Sequence, residues 1–431
     1  ERVPLPVARE TVLELRRSRN ATRPQIALAT HMSKPTVSAA IAQLEQAGLV
    51  RSDGQVSGIT GRKPTVYALN RTARLVAGID IGGVNTRVAI ADLCGSILAE
   101  STAPTDHEAV TDQVVAMFRK VRARALRTLA PGRPADRPGR PPTRPADRPP
   151  ARPPVVAAAL STPGLVVGSS RVWLAYNVDS AGVLDFAPMA RRLGVPLRVE
   201  NNVNVAALGE MRFGAAREHR SFVFLSVGAG IGVGTVHNGE LLRGANGAAG
   251  EISYLPLGPH PLAGEQALTG NFEQSAAAAG LLGRARRQTW RERPPADVAE
   301  LFRWAADGNA TARRLVQDHA QQIGLAVVAA RTIIDPEIVV LGGGIGRNKL
   351  LIEPVTEVCR RLLPVPCPVI TTELADRGSL VGAVAAASDD AWRGIIEPAA
   401  ARNDVIPAVR ATHDTASLLR QTPAAPEGRH D

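Results

Sequence analysis

The chain has 431 residues, enough for two or three domains with their own hydrophobic cores. No apolar run approaches the roughly 20 residues of a membrane span and no signal-peptide pattern opens the sequence, so we expect a cytoplasmic protein that does not enter a membrane. Its three cysteines lack metal-ligand spacing, which agrees with a reducing compartment and with no metal site.

The formal net charge of +11 is concentrated in two places. Residues 1–71 hold 11 Lys and Arg against 5 Asp and Glu, a net of +6, and residues 131–154 hold 6 Arg against 2 Asp, a net of +4. The rest of the chain is therefore close to neutral. We expect the N-terminal region, rather than the large remainder, to contact a polyanion.

Residues 7–50 are predicted to form three helices. The second and third each begin with a capping hydroxyl followed by proline, and residues 30–32 form a short turn between them. Two helices joined in this way form a helix-turn-helix, whose second helix places its first residues against base edges in the major groove. The residues predicted to contact DNA from this helix are Ser33, Lys34, Thr36 and Ser38.

Residues 51–69 are predicted to form a β-hairpin wing. Arg62 and Lys63 would lie near its tip or edge, where they could contact phosphate groups. A small helical protein-interaction domain with a solvated basic face is the alternative. Because the caps, the turn, the basic wing and the charge bias agree, we favour a winged helix-turn-helix over residues 1–71 that binds a double-stranded DNA operator.

Three predicted strands are each followed by glycines. Glycine after a strand lets the backbone adopt positive φ and brings its N–H groups close to an anion, although a plain hairpin or turn would use the same residues. These positions are Gly82 and Gly83 after the strand from Leu75, Gly228 and Gly230 after the strand from Ser221, and Gly343 after the strand from Ile338.

The order and length of these motifs resemble the ROK family of bacterial sugar kinases and sugar-responsive repressors. Leu225 to Tyr254 resembles the family's phosphate loop and the sugar segment that follows it, and residues 197–210 resemble its vENDaNaaalgE pattern. The resemblance implies an α/β protein. Its winged helix-turn-helix would precede a two-lobed, actin-like (ribonuclease H-like) ROK body.

The resemblance also implies domain bounds. The ROK body would cover residues 72–391, with lobe one at about 75–192 plus the last helix and lobe two at about 193–376. Within it, residues 131–154 are rich in Pro and Arg and contain RPADRP twice, which predicts an extended, solvated insertion. Residues 392–431 have no family counterpart, and their structure is left open.

Site residues follow from the same resemblance. Those expected to bind a sugar are Asn177, Asn201, Asn202, Glu251, Tyr254 and Glu273. Those that match the nucleotide-binding loops are Asp80, Gly82, Gly83, Gly228, Gly230 and Gly343. Capping of helices or loops is the alternative role for the polar side chains.

The catalytic machinery departs from the family pattern. Asn202 stands where the family has the Asp that accepts a proton from the sugar hydroxyl, and a neutral amide cannot accept it. Val84 and Ala229 replace threonines of the two phosphate loops. We therefore expect no catalytic residue, and ATP is not an expected cofactor.

Zinc is not expected either. Tyr254 replaces the family's zinc-binding His, and Pro256 to Asn271 contains no cysteine, whereas a structural zinc site needs four ligands.

These expectations favour a transcriptional regulator, most simply a repressor, that keeps a sugar pocket and has lost kinase chemistry. A small sugar or sugar derivative would act as effector, and the family implies a homodimer or tetramer. An active ATP-dependent sugar kinase with an added DNA-binding domain is the chief alternative. A dimerisation scaffold without an effector is another.

Overall fold

The computed structural model describes residues 5–55, 64–129, 153–173, 183–257 and 270–396. No helix within these ranges is long and apolar enough to cross a membrane. Several predicted features lie outside the described residues, namely Arg62, Lys63, Asn177, most of the insertion at 131–154 and the extension beyond residue 396.

The N-terminal unit contains three helices and a three-stranded sheet in the order β1-β3-β2. Thr22 begins α2 with a capping box, because its hydroxyl accepts from the Gln25 N–H while its own N–H donates to Gln25 Oε1 at 2.8 Å. The predicted three helices and hairpin strands are confirmed. Their bounds are α1 Leu5–Ser18, β1 Asn20–Thr22, α2 Arg23–Thr30, α3 Lys34–Gln46, β2 Val50–Gln55 and β3 Thr65–Leu69.

The first sheet of the body has the order β11-β7-β4-β5-β6. The strands β4, β7 and β11 are parallel, whereas β5 and β6 extend the sheet as antiparallel hairpins. Helices α4 and α5 pack on one face, and the last helix, α13 (Gly378–Ile396), packs on the other. The elements are β4 Leu75–Ile81, β5 Asn85–Asp92, β6 Ile97–Pro104, α4 Val110–Leu129, β7 Val155–Thr162, α5 Ala187–Leu193 and β11 Leu197–Asn201, with a small sheet of β8 Leu165–Val167, β9 Arg171–Trp173 and β10 Val183–Asp185.

The predicted boundary between the lobes is wrong by about eight residues. We expected lobe two to begin at about residue 193, but β11 (197–201) pairs in parallel with β7 of the first sheet. The chain therefore leaves this sheet only after Asn201. By contrast, the last helix packs on the first sheet as predicted, with Ser388 and Trp392 both donating hydrogen bonds to the Leu93 carbonyl.

The second sheet has the order β14-β13-β12-β15-β16. Helices α7 to α10 and α12 cover one face, while α6 packs on the other and also against α13. Helix α6 therefore lies between the two lobes. The elements are α6 Asn202–Phe213, β12 Phe222–Val227, β13 Ile231–His237, β14 Glu240–Leu242, α7 Asn271–Ala276, α8 Ala278–Arg286, α9 Val298–Ala306, α10 Ala310–Ile334, β15 Ile338–Gly342, α11 Gly343–Gly346, α12 Ile352–Leu362, β16 Val369–Thr371 and α13 Gly378–Ile396.

The N-terminal unit and lobe one share one hydrophobic core. Val12 and Leu15 of α1 belong to the same buried cluster as Trp392 and Ile396 of α13. A polar contact lies beside it, where the Asp389 carboxylate accepts from an arginine of α1 and from another of α6. The DNA-binding candidate is thus packed against the body rather than tethered to it.

Candidate functional site

The start of α3 is exposed, as its predicted role requires. Ser33 is the N-cap, with its hydroxyl 3.3 Å from the Thr36 N–H, and Ser33 and Lys34 are exposed. Thr36 and Ser38 are partly buried, while Val37 between them faces the core. The capping bond fixes where α3 begins, and the alternation of buried and exposed positions leaves one polar face toward solvent.

A cavity of about 560 Å³ is lined from both lobes and from the start of α6. Lobe one contributes residues 82–84 and 163–165, and lobe two contributes the glycine loop 228–233. The cavity brings together most of the predicted site residues, namely Gly82, Gly83, Asn201, Asn202, Gly228, Gly230, Glu251, Tyr254, Glu273 and Gly343.

The two asparagines at the start of α6 differ in their contacts. Asn201 is the N-cap, whose Oδ1 accepts from the N–H groups of Val203 and Asn204 at 2.8 and 3.2 Å and whose Nδ2 donates to the Gly164 carbonyl at 3.0 Å. Most of the hydrogen-bonding capacity of the Asn201 side chain is therefore used within the protein. Among the described residues, the Asn202 side chain has no hydrogen-bond partner, so its amide is available to a ligand.

An ion pair with a buried carboxylate holds this end of α6, and the sequence reasoning missed it. Glu200 is 4% exposed and accepts from Arg243 Nε at 2.7 Å, from Asn204 Nδ2 at 3.2 Å and from the Asn201 N–H. The pair ties β11 to the loop before Glu251. The available signal was the acid that opens the vENDaNaaalgE-like segment, a residue type rarely buried without a partner.

Two carboxyl groups enter the cavity from lobe two. Burial raises the pKa of Glu251, and the charge of Glu273 raises it further. Burial also raises the pKa of Glu273, although the Ile231 N–H, which donates to Glu273 Oε2 at 3.1 Å, opposes that shift. Tyr254 stands at the edge and is 43% exposed. These groups offer hydrogen-bond acceptors to a ligand rich in donors.

Glycines shape two of the loops. Gly250 has φ +88°, and a Cβ there would lie 1.9 Å from the Val233 carbonyl oxygen, so only glycine fits. Gly343 has φ +79°, and a Cβ would lie 2.4 Å from the Val227 carbonyl oxygen. The close backbone approach therefore depends on these residues.

The N–H groups of the predicted nucleotide loops are partly used within the protein. Gly82 donates to the Asn85 carbonyl and Gly228 to the Gly230 carbonyl, each at 2.9 Å. The Ile231 N–H is bound to Glu273. Val84, in the first loop, is 78% exposed and offers no hydroxyl. Three loop N–H groups are therefore bound within the protein, whereas those of Gly83, Val84, Ala229 and Gly230 have no acceptor among the described residues.

Asp80 does not line the cavity with the other predicted nucleotide residues. It is buried, accepts from Ser161 Oγ at 2.9 Å and lies 3.8 Å from the Arg87 guanidinium, which also binds Asp376. Burial raises the pKa of Asp80 to about 6, against the lowering effects of Ser161 and Arg87. The positively charged side chain of Arg87 thus lies beside this carboxyl. Together with the missing hydroxyls, this arrangement does not fit a magnesium–nucleotide.

The described residues do not supply a zinc site. No group of three or more His, Cys, Asp or Glu within those ranges could hold a metal ion. The segment 258–269, which follows Tyr254 and contains His260, lies outside the described residues. All three cysteines lie elsewhere, and Cys359 and Cys367 are buried.

The sequence model of the ROK family matches residues 148–390. The chain belongs to the ROK family. Its two-lobed body with an N-terminal helical region is the ROK fold of a solved transcriptional regulator, a homologue of the E. coli MLC protein. That structure has a TM-score of 0.70 at 18% identity and covers 89% of this chain and 95% of its own.

Relatives of this ROK chain include both repressors and enzymes. The xylose repressor of Caldicellulosiruptor bescii is 22% identical over 385 residues, 86% of this chain and 92% of its own length. The bifunctional enzyme NanE/NanK of Brucella melitensis is 34% identical over 233 residues, 52% of this chain. The chain spans only 42% of the length of that enzyme, so the second match does not extend to the whole of either protein.

Proposed function

We propose that this protein is a sugar-responsive, DNA-binding transcriptional repressor whose cleft binds a sugar without phosphorylating it. The observation that carries the proposal is the neutral amide of Asn202, which lines the cavity at the base position of the ROK pattern. An amide can recognise a sugar hydroxyl but cannot take its proton.

Kinase chemistry is disfavoured by more than the base. Phosphoryl transfer depends on positioning and on neutralising charge, and losing a general base alone costs about 10²–10⁴ in rate. Val84 and Ala229 line the cavity without hydroxyls, and the Gly82 and Gly228 N–H groups bind carbonyls of their own loops. Asp80 is engaged by Ser161 and Arg87 and does not line the cavity. These features agree with a cleft that binds and does not react.

DNA binding is supported by the exposed start of α3 and by the concentration of positive charge in residues 1–71. The Caldicellulosiruptor bescii protein, which this chain matches over 92% of that protein's length, is named a xylose repressor. By this proposal the protein is a homodimer or tetramer. Two-fold symmetry would then require a palindromic operator with half-sites about one helical turn, or a multiple, apart.

The first experiment selects genomic DNA fragments with the purified protein and measures affinity for the recovered operator. We expect Lys34→Ala to weaken binding by at least about tenfold, because it removes a contact at the groove. The matched control is Lys120→Ala, an exposed lysine on α4 of the body, which should leave affinity unchanged. Equal affinities of both variants and the wild type would contradict the DNA-binding face.

A working sugar kinase is the second candidate, because relatives include the NanE/NanK enzyme and Streptomyces glucokinase. A coupled assay with ATP and a panel of pentoses, hexoses and amino sugars separates the candidates. Turnover that disappears in Asn202→Ala would refute the repressor without catalysis. If no sugar alters the melting temperature or operator affinity, the body is a dimerisation scaffold instead.

A further inference from the structure

The side of α3 that faces away from the protein is apolar at its centre. Its opposite side is fixed in the core of the N-terminal unit by four residues, none of them more than 5% exposed, namely Val37, Ala40, Ile41 and Leu44. Since an α-helix has about 3.6 residues per turn, the outward side is centred on four exposed residues, namely Pro35, Ala39, Ala42 and Gln46. Of these four, Gln46 at the C-terminal end of α3 is the polar one. The face that would enter a groove therefore presents mainly small apolar side chains.

The polar residues at the start of α3 lie beside this face rather than at its centre. At about 100° per residue, Lys34 and Thr36 project about 100° to either side of it. The hydroxyl oxygens of Ser33 and Thr36 lie 2.7 Å apart and share a hydrogen bond, and Ser33 Oγ also accepts from the Thr36 N–H. Ser38 is partly buried. The middle of α3 therefore has few groups for hydrogen bonds to base edges.

The two central alanines, Ala39 and Ala42, match the apolar group that base edges present in the major groove. That group is the C5 methyl of thymine, and alanine is among the side chains that contact it. The three-residue separation of the alanines corresponds to about 4.5 Å along the helix axis, close to the step of about 3.4 Å between base pairs. The pair therefore suits methyl groups on neighbouring base pairs.

We propose that Ala39 and Ala42 read thymine methyl groups on neighbouring base pairs of the operator and so determine part of its sequence specificity. This inference rests on the proposed function, because it specifies how the same helix recognises DNA. Each half-site of the operator then contains two thymines, on either strand, opposite the middle of α3.

The test uses the full chain and the operator recovered by selection. Each thymine of the half-sites is replaced in turn by deoxyuridine, which pairs in the same way but lacks the C5 methyl group. At two neighbouring base pairs we expect affinity to fall about fourfold, which corresponds to about 0.8 kcal/mol for one buried methyl group. If deoxyuridine is tolerated at every position of a bound operator, this inference is overturned and the DNA-binding function stands. If no operator is recovered, both fail.

Glycine variants assign each methyl group to its alanine. Ala39→Gly should reduce the ratio of affinities for thymine and deoxyuridine operators from about four to about one at one of the two positions, and Ala42→Gly should do so at the other. A loss of helix propensity weakens binding of both DNAs alike and cancels in this ratio, and circular dichroism checks that each variant is folded. The matched control is Ala123→Gly, at an exposed alanine of α4, which should leave both ratios unchanged.

Serine variants keep the test decisive where a glycine variant does not fold. Ala39→Ser and Ala42→Ser lose less helix propensity than the glycine variants and place a polar hydroxyl against the methyl group. Each should lower the same ratio toward one. Ratios near about four at both positions in folded variants would mean that other residues contact the methyl groups, and would overturn the inference.

Discussion

Replacing Asp389 by Asn is a sharp test of how the DNA-binding domain is held. The carboxylate of Asp389 accepts from Arg16 of α1 at 3.0 Å and from Arg212 of α6 at 2.8 and 2.9 Å. The side chains of Arg16, Asp389 and Arg212 are 14%, 30% and 36% exposed, so solvent screens the contacts only in part.

The magnitude follows from that geometry. Fully exposed pairs contribute about 0.2–1 kcal/mol and hydrogen bonds to charged groups about 1.5–3 kcal/mol. Because solvent screens the two ion pairs of Asp389 only in part, we expect Asp389→Asn to lower the free energy of unfolding by about 2 kcal/mol. The matched control is Asp112→Asn, whose partner Arg192 lies on the surface, and it should cost less than about 0.5 kcal/mol.

Calorimetry and urea unfolding provide the assay. A double-mutant cycle between Arg16→Met and Asp389→Asn should give a coupling free energy of about 0.5–1.5 kcal/mol. Since α6 begins in the cleft at Asn202 and carries Arg212 in its last turn, Asp389→Asn should also reduce several-fold the effect of the bound sugar on operator affinity. Additive single effects in the cycle, or a loss no larger than that of Asp112→Asn, would refute this account.

Three further predictions concern single residues. Burial of His319 and the nearby charge of Arg284 lower the pKa of this imidazole to about 3. The unfolded chain therefore binds more protons than the folded chain between pH 3 and 6.5, and stability falls as the pH drops through that range. His319→Leu should flatten the stability–pH slope there by up to about 1.4 kcal/mol per pH unit in urea unfolding, and an unchanged slope would contradict it. Gly250→Ala should lower the free energy of unfolding by well over about 1 kcal/mol, because the added Cβ would lie 1.9 Å from a β13 carbonyl oxygen. The control is Gly239→Ala, which has a similar positive φ but open space around it and should lose about 1 kcal/mol or less. Similar melting temperatures of the two variants would refute the clash. Asn201→Ala should lose about 1–2 kcal/mol of stability with the cap of α6, and thermal unfolding equal to wild type would count against that role.

Local patterns in the sequence determine many features of the fold. Caps such as Ser33, the apolar spacing of α3 and the glycines after strands are short-range signals, because hydrogen bonds and φ values are set within a few residues. The motif order predicted the ROK body, which the family match over residues 148–390 confirms. The identity of Asn202 likewise came directly from the sequence, and with it the hypothesis that catalysis is lost.

Other features depend on partners far along the chain. The Glu200–Arg243 pair, the burial of Asp80 under Ser161 and the sharing of Asp389 between α1 and α6 join residues separated by 43 to 373 positions. The lobe boundary was misplaced for the same reason, since β11 is assigned by its pairing with β7 and not by its own residues. The sequence alone determined which polar and charged side chains the protein contains. Only the tertiary structure decided which are occupied by one another and which remain for a ligand, because hydrogen-bond and charge partners are matched in space.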